Sequence, residues 1–369
     1  MAIDRRQILI GLAAALATPG GTAWSSPSEA LYVACRDSAD KRSFAAVFSA
    51  DGREVFSTVL PARGHDAVER PGSGEIVVFA RRPGNWAVAF DPRRGRVVTT
   101  ILSQKDRHFL GHGAFTADGK LLYAGENDTK SGNGVLGIYD ATDGYRRITE
   151  IPSLGIGPHD IKLMGDGRTL VVANGALKTL PESGREILNL DSMRPNLAFI
   201  DMRTHATLGL VELGPELRQL SIRHLAVAAD GTVAFGCQYQ GSAGDLPLLV
   251  GLAKEGKAKL LDMPELELSK LDNYVGSVAI DDDQRMIAVT SPRGGSVALW
   301  ELKTGSFHSR AAMSDVCGLA PLDHDAFLLT SGNAGMRRLG SHDRTPGLPV
   351  AGSQQWMWDN HMRRLKRVT

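Results

Sequence analysis

The chain alternates short apolar runs with polar turns rich in glycine and aspartate, and the alternation recurs in similar units. In one unit the apolar runs 121–124 and 135–139 are separated by a glycine-rich polar stretch, and the second is followed by the turn 140–144. Short apolar runs bounded by such turns are typical of β-strands. Each unit offers four such strands, which predicts one blade of a β-propeller.

The units repeat with a regular period. His65 and His112 stand 47 residues apart, and so do His112 and His159. Division of the chain by this period gives about seven units, so the sequence predicts an all-β, seven-bladed β-propeller. A doubly wound α/β fold would need helices between the strands, and no long stretch after the N-terminal segment keeps the apolar period of about 3.6 residues. A pair of β-sandwiches would not explain the period.

The two ends of the chain are predicted to share one blade. Residues 30–34, 43–48 and 54–59 form three predicted strands with no innermost strand before them, whereas 359–366 resembles the start of the other units. Pairing of this C-terminal strand with the N-terminal blade would close the ring and remove its open edges. We therefore expect one propeller domain of the WD40/YVTN-like kind over residues 24–369.

The composition agrees with this fold and excludes several partners. The 369 residues include 41 glycines, and only 6% are aromatic, which indicates many turns. The chain has 42 Lys or Arg and 41 Asp or Glu, a formal net charge of +1, so we expect no nucleic-acid partner. The sequence contains neither a C-x-x-C-H motif nor a phosphate-binding loop, so we expect no covalent haem and no nucleotide. We expect a monomer.

The first residues carry an export pattern. Arg5 and Arg6 precede a short uncharged apolar run, which is typical of a bacterial twin-arginine (Tat) signal peptide. The run is shorter than the roughly 20 residues that span a bilayer. We therefore expect a Tat-type signal peptide over residues 1–23, a periplasmic location and no transmembrane span in the mature protein. A Sec signal or an uncleaved anchor is the alternative.

Several motifs together resemble a known family. One unit reads Pro158-His159-Asp160, then Gly165-Asp166-Gly167 and Val171-Val172-Ala173-Asn174, and the last unit reads Trp358-Asp359-Asn360-His361. With the Tat-like start, these motifs resemble the bacterial family catalogued as domain of unknown function 1513. Members are exported propellers whose genes accompany imelysin-like and di-haem-peroxidase-like genes associated with iron uptake. The resemblance implies periplasmic iron-uptake or electron-transfer proteins as partners.

Half of the ten histidines occupy one position of the repeat, at the start of the predicted innermost strand: His65, His112, His159, His224 and His361. Gly276 and Cys317 stand there in two other units. In a closed ring these strands start around one mouth of the central channel, so five imidazoles are predicted to converge and bind iron or copper. The alternatives are an organic or anionic ligand, or hydrogen bonds to channel waters and backbone. The structural histidine of WD40 blades lies further from the Asp-Gly turn.

The loops after each second strand are predicted to emerge at the same mouth, because adjacent antiparallel strands reverse direction. They carry Arg36, Arg81, Glu126 and Gln238. The two arginines favour a carboxylate, phosphate or chelate oxygen as ligand, and Glu126 is a candidate hard metal ligand or acid–base group. A solvated loop residue is the alternative for each.

Two further residues adjoin the predicted ring of histidines. Asp160 follows His159 and is a candidate for orienting that imidazole, with a turn cap as the alternative. Cys317 is a candidate soft metal ligand, with a small buried thiol as the alternative.

These features predict a periplasmic propeller that binds iron, copper or a metal chelate at a histidine-lined channel mouth, in iron acquisition or a related redox process. One alternative is an interaction scaffold for a periplasmic iron-binding or electron-transfer partner. Another is a propeller lactonase or hydrolase, which would need acidic metal ligands on the axis, where the sequence predicts mainly histidines. The sequence leaves open whether the protein is an enzyme.

Overall fold

The described residues form one ring of β-sheets. The computed structural model describes residues 30–82, 84–180 and 186–366. Within them, 27 strands form seven antiparallel sheets, six with four strands and one with three. This architecture confirms the predicted all-β, seven-bladed propeller. The predicted signal peptide, residues 1–23, lies outside the described residues.

Each blade is an antiparallel meander, with bounds as follows. Blade 1 contains β1 (Leu31–Asp37), β2 (Ser43–Ser49) and β3 (Glu54–Val59), and blade 2 contains β4 (Gly64–Glu69), β5 (Ile76–Ala80), β6 (Trp86–Asp91) and β7 (Arg96–Leu102). Blade 3 contains β8 (Arg107–Phe115), β9 (Leu121–Asp128), β10 (Gly134–Asp140) and β11 (Arg146–Pro152), and blade 4 contains β12 (Pro158–Leu163), β13 (Thr169–Asn174), β14 (Asn196–Asp201) and β15 (Thr207–Glu212). Blade 5 contains β16 (Leu220–Val227), β17 (Val233–Tyr239), β18 (Val250–Lys254) and β19 (Lys257–Leu260). Blade 6 contains β20 (Ser277–Ile280), β21 (Met286–Ser291), β22 (Ser296–Glu301) and β23 (Phe307–Ala312), and blade 7 contains β24 (Val316–Pro321), β25 (Ala326–Ser331) and β26 (Gly335–Gly340).

The C-terminal strand closes the ring, as predicted. This strand, β27 (Met357–Arg364), pairs antiparallel with β1 and becomes the innermost strand of blade 1. Val33 of β1 lies opposite Arg363 of β27. β27 also contacts β24 and β4, the innermost strands on either side of it. Hydrogen bonds between the two chain ends therefore hold the ring together.

Blade 7 departs from the four-strand expectation. The segment 341–356, which follows β26, contains no strand and only a short 3₁₀-helix, Ser353–Gln355. Pro346 and Pro349 lie in this segment. Because proline lacks a backbone N–H, it cannot donate to the strand ladder, and an outer strand does not form here.

Helix is scarce in the ring. Among the described residues the helices are α1 (Glu265–Leu268) and the 3₁₀-helices Leu190–Ser192, Pro215–Leu217, Ser269–Leu271 and Ser353–Gln355. None of these helices is long and apolar enough to cross a bilayer. The core instead consists of apolar side chains packed between blades, such as Phe235 of blade 5 and Trp300 of blade 6.

The innermost strands share an irregularity that positions the site. The pairing register shifts at Pro158/Asp160 in β12 and at Ile222/His224 in β16, and comparable shifts occur in β4, β8, β24 and β27. A β-bulge of this kind re-aims the side chains of the strand. In β20, which begins after Gly276, the pairing with β21 runs without a shift. All five histidines of the predicted ring lie in bulged strands.

Candidate metal centre

Five imidazoles meet near the propeller axis, each from the innermost strand of a different blade. We call this group the histidine cluster: His65, His112, His159, His224 and His361. Ring centroids lie 4.5 Å apart for His65 and His361, 4.7 Å for His112 and His159, and 4.9 Å for His159 and His224. The structure thus brings together the five residues that the sequence places at one repeat position.

The cluster is buried and its nitrogens are close to one another. His112 is 0% exposed and the other four are at most 6% exposed. One ligand atom from each of His65, His112 and His159 lies within 4.8 Å of the other two, and the same holds for His112, His224 and His361. His112 belongs to both groups and is therefore the central member of the cluster.

Outer partners fix the orientation of the best-placed rings. Nδ1 of His112 lies 2.9 Å from Oδ2 of Asp66 and therefore donates to that carboxylate. The hydroxyl of Ser277 donates to the carbonyl of Asn360 at 2.6 Å, so its oxygen accepts from Nδ1 of His361 at 3.1 Å. In both rings the hydrogen sits on Nδ1, which leaves a lone pair on Nε2.

Those lone pairs have no partner among the described residues. Nε2 of His112 and Nε2 of His361 are buried without a hydrogen bond, as is Nδ1 of His224. The amide of Gln238 donates to the carbonyl of Val275 at 3.1 Å and lies 3.4 Å from Nε2 of His224. Burial of a polar atom without a partner is costly, so three such nitrogens in one cluster indicate a site built for a ligand.

Burial keeps four of the five imidazoles neutral at physiological pH. Burial lowers the pKa of His65 to about 4. Burial likewise holds the pKa values of His159, His224 and His361 well below the usual histidine range. A neutral imidazole offers the lone pair that a metal ion requires, whereas a protonated imidazole does not.

Three ionised carboxylates contact imidazoles of the cluster. Burial alone would raise the pKa of Asp66, but the Arg363 guanidinium and the His112 imidazole outweigh burial and hold that pKa well below its usual range. The pKa of Asp160 is likewise lowered against its burial, chiefly by Lys162 and then by His112. The pKa of Asp359 is lowered against burial by His65 and by two arginines. Negative charge thus lies directly outside the histidine cluster.

Asp359 connects the cluster to the mouth where the innermost strands begin. Its Oδ1 lies 3.4 Å from Nδ1 of His65, and its Oδ2 accepts from Nη1 of Arg81 at 3.2 Å. Arg63 also donates to Asp359. Arg81, one of the predicted ligand-binding residues, therefore lies at the mouth and fixes a carboxylate that contacts the cluster.

Asp160 contacts residues of the two neighbouring blades. Its Oδ1 lies 3.4 Å from Nδ1 of His112, and its Oδ2 accepts from the backbone N–H of Leu225 at 2.9 Å. It also pairs with Lys162. The structure shows no hydrogen bond from Asp160 to the ring of His159 among the described residues. Asp160 thus supports the cluster through His112.

Glu126 and Arg36 are engaged outside the cluster. The carboxylate of Glu126 accepts from the Tyr139 hydroxyl at 2.5 Å and from Arg147 at 2.8 Å, both within blade 3. The Arg36 guanidinium pairs with Glu54 and lies 3.4 Å from the ring centre of Trp356. The ion pairs of both side chains lie within single blades, and neither side chain adds a donor to the histidine cluster.

The cysteines are free and buried. Cys317 donates from its thiol to the backbone carbonyl of Asp315 at 3.1 Å. Burial raises the pKa of the Cys317 thiol, and Asp315 raises it further, so the thiol stays protonated. It lines the mouth beside the cluster as a neutral group.

Several supporting residues escape the sequence reasoning: Asp66, Asp359, Arg363, Lys162 and Ser277. One sequence signal for two of the carboxylates exists, because the dipeptide His-Asp occurs twice at the repeat position, as His65-Asp66 and His159-Asp160. The carboxylate of each pair contacts His112 on the blade between them. The spacing of residues along the sequence does not predict these contacts between blades.

A cavity opens at the mouth beside the cluster. Its volume is about 440 Å³, and Arg63, Arg81, Arg293, Asp315 and Asn360 are among the residues that line it. A cavity of this size is within the range of small-molecule sites, about 300 to 1,000 Å³. None of the five histidines lines this cavity, but Asn360, the residue before His361, does, so the cavity lies beside the cluster.

Fold and site together define a class, a seven-bladed β-propeller with a histidine cluster near its axis. Within that class, the chain belongs to the family described as "Protein of unknown function (DUF1513)", whose sequence model matches residues 58–365. A search of curated protein sequences finds no match to this chain.

Solved structures with similar folds include two assemblies. A chain of hydrazine synthase from Kuenenia stuttgartiensis is 12% identical, with a TM-score of 0.63, and the match covers 88% of this chain and 98% of that one. A chain of a mitotic checkpoint complex is 13% identical, with a TM-score of 0.55, over 79% of this chain and 83% of that one. At these identities the likeness concerns the fold alone.

Proposed function

We propose that this protein binds a transition-metal ion, iron or copper, at the histidine cluster. The observation that carries the proposal is the set of buried nitrogens without partners, on His112, His224 and His361. An unpaired polar atom in the interior costs about 1 to 3 kcal/mol, so the cluster lowers the stability of the fold unless a ligand occupies it. A metal ion bound by the lone pairs of His112 and His361 would offset that cost.

The donor chemistry supports this class of ion. Imidazole nitrogens suit iron, copper and zinc, whereas magnesium and calcium prefer oxygen ligands. The contact between Asp66 and His112 has the form of the carboxylate–histidine pairs that orient metal ligands and raise their basicity. Either group of three imidazoles that contains His112 would be able to hold such an ion.

The cellular role we propose is metal handling in the periplasm, in iron acquisition or a related redox process. The twin-arginine pattern at Arg5 and Arg6 supports this location. The resemblance to the domain of unknown function 1513 family supports this role. The partners would be periplasmic iron-uptake or electron-transfer proteins.

Two observations favour the metal hypothesis over its alternatives. An interaction scaffold needs no convergent polar pocket, whereas the mouth here is lined by arginines and aspartates beside buried imidazoles. A propeller hydrolase would use axial carboxylates as metal ligands, but Asp66 is engaged by Arg363 and His112, and Asp359 by Arg63 and Arg81. These carboxylates are therefore engaged by arginines and histidines, although Asp66, Asp160 and His112 also lie close enough together to hold an ion.

Metal content of the purified full chain tests the proposal. Reconstitution with copper and separately with iron, followed by desalting and elemental mass spectrometry, should give about one metal ion per chain with at least one of them. His112→Ala should lose that metal, whereas His342→Ala, which removes an exposed histidine outside the cluster, should retain it. Metal below about 0.2 per chain in the wild type, or equal metal in His112→Ala, would refute the proposal.

A further inference from the structure

A second cavity lies at the end of the channel opposite the mouth. We call it the far cavity, and its volume is about 520 Å³. The innermost strands β4, β8, β12 and β27 end at the far cavity, whereas the mouth is where innermost strands begin. Its size is within the range of small-molecule sites, and the metal proposal does not use it.

The far cavity is lined by four cationic residues and one carboxylate. The cationic residues are Lys162, Arg363, Arg364 and Lys366, and the carboxylate belongs to Glu69. The side chain of Lys162 is 18% exposed, that of Arg363 30% and that of Arg364 24%. A ligand that arrives from solvent can therefore reach these cations.

Three of these cations have carboxylate partners that do not line the far cavity. The ion pairs are Lys162 with Asp160, Arg363 with Asp66, and Arg364 with Asp282. The cavity therefore faces the positive member of each pair. Within the described part of the chain, the ammonium of Lys162 has no acceptor besides Asp160. Because an ammonium has three N–H donors, Lys162 retains donors for a ligand.

The rest of the wall is apolar. Val68, Phe115, Leu163 and Leu365 line the far cavity together with the cations. Apolar walls favour burial of an apolar ligand body. They also strengthen the attraction between a cation and an anion, because the local dielectric is lower than in water. The far cavity thus combines the two properties that recognise an amphipathic anion.

We propose that the far cavity binds a small amphipathic oxyanion, a carboxylate or phosphate on an apolar body, with Lys162 as its main charged contact. Ammonium and guanidinium groups both form charge-assisted hydrogen bonds with such oxygens. Lys162 also connects the cavity to the histidine cluster, because its partner Asp160 contacts His112. The inference goes beyond the metal proposal, since binding of the oxyanion requires no metal ion.

Calorimetric titration of the metal-free full chain tests this inference. Octanoate and octyl phosphate carry both a charged head and an apolar body, and they distinguish a carboxylate from a phosphate ligand. Octanol lacks the charge, and acetate lacks the apolar body. We expect saturable binding of octanoate or octyl phosphate at one site per chain, with octanol and acetate at least about tenfold weaker. No saturable binding of either amphipathic probe, or equal affinity for octanol or acetate, would overturn the proposal.

Replacement of Lys162 locates the binding site. Lys162→Gln should weaken binding of the amphipathic probe by about tenfold or more, because it removes the main charged contact. Lys303→Gln, at an exposed lysine in the turn between β22 and β23, is the matched control and should leave binding unchanged. Equal affinity in the wild type and in folded Lys162→Gln would overturn the proposal.

Glu69→Gln supplies a test of opposite sign, which decides the matter if Lys162→Gln does not fold. Glu69 is the only carboxylate among the described residues that line the far cavity. Its Oε2 accepts from the backbone N–H of Lys366 at 2.6 Å, and an amide oxygen can still accept there. The variant removes a negative charge, so affinity for the amphipathic probe should rise about two- to fivefold. Unchanged or weaker affinity would contradict the proposal.

Metal content separates this inference from the metal proposal. Glu69→Gln keeps the five histidines and the carboxylates that contact them, so its metal content after reconstitution should equal that of the wild type. If the wild type binds the amphipathic oxyanion but no metal, the metal proposal fails and the far cavity remains a binding site. If it binds metal but no oxyanion, the reverse is true.

Discussion

Nδ1 of His112 lies 2.9 Å from Oδ2 of Asp66, across the boundary between blades 3 and 2. This contact determines which nitrogen of the central imidazole carries the hydrogen and which faces the cluster. It also places an ionised carboxylate in hydrogen-bond contact with His112, a proposed ligand of the metal ion. Arg363, which closes the ring, donates to Asp66 at 2.9 Å from its Nε. Ring closure and the histidine cluster are therefore physically connected.

Replacement of Asp66 by Asn should weaken metal binding without removing a ligand. The variant keeps the side-chain shape but loses the charge that orients and polarises His112, so metal affinity should fall by about 10- to 100-fold. Competition titration with a chromophoric chelator measures the affinity. Asp262→Asn, at an exposed aspartate, is the matched control and should bind as the wild type does. Unchanged affinity in Asp66→Asn would exclude an orienting role.

Acid should destabilise the metal-free protein in a defined pH range. Burial lowers the pKa of His65 from about 6.5 to about 4, so between these values the unfolded chain binds a proton that the folded chain does not. Stability should therefore fall as the pH drops from about 6.5 to 4, by on the order of 3 kcal/mol for this one histidine. Urea unfolding at several pH values measures the slope. His65→Gln should reduce the slope, to which His159, His224 and His361 also contribute, and an unchanged slope in that variant would contradict the assignment.

Replacement of Glu126 by Gln should affect stability and leave metal content unchanged. Its carboxylate holds Arg147 and Tyr139 inside blade 3, and the change leaves the Arg147 charge only partly compensated by Glu150. We expect a loss of about 2 to 4 kcal/mol in the free energy of unfolding, measured in urea. Metal per chain, measured on the folded variant, should equal that of the wild type. Loss of metal from a folded variant would identify Glu126 as a ligand.

Truncation should show how much of the fold depends on the C-terminal strand. A chain ending at Gln355 lacks β27, so β1 loses its pairing partner and the cluster loses His361. We expect aggregation on gel filtration and no cooperative thermal transition. A chain ending at Lys366 keeps β27 and should unfold within about 2 °C of the full chain. Cooperative unfolding of the shorter chain at the wild-type temperature would contradict ring closure as a stabilising element.

The sequence predicts the fold well because the information is periodic. Turn residues and apolar runs recur at one spacing, and the missing innermost strand at the N-terminus matches the extra strand at the C-terminus. The absent outer strand of blade 7 is a local exception, since Pro346 and Pro349 interrupt the segment where it would form. The convergence of the histidines follows from the same periodicity.

The sequence predicts the side chains that surround the histidines less well than it predicts the fold. Alternation along a strand predicts two faces, but a β-bulge adds a residue and redirects the side chains around it. The bulges in β4 and β12 accompany contacts of Asp66 and Asp160 with His112 of blade 3. The bulge in β16 lies at Arg223, next to His224 in the same strand. Glu126 shows the opposite case: the sequence places it in a loop like that of Arg81, but it lies within β9, and its side chain is engaged within its own blade.

Anomalous diffraction from metal-loaded crystals tests the central claim most directly. Crystals of the full chain, loaded with copper or iron and measured on both sides of the absorption edge of that metal, would locate the ion. We predict one dominant peak within the histidine cluster, at about 2.0 to 2.1 Å from Nε2 of His112 and bonded to at least two further imidazoles. A peak outside the cluster, or no peak in loaded crystals, would contradict the account.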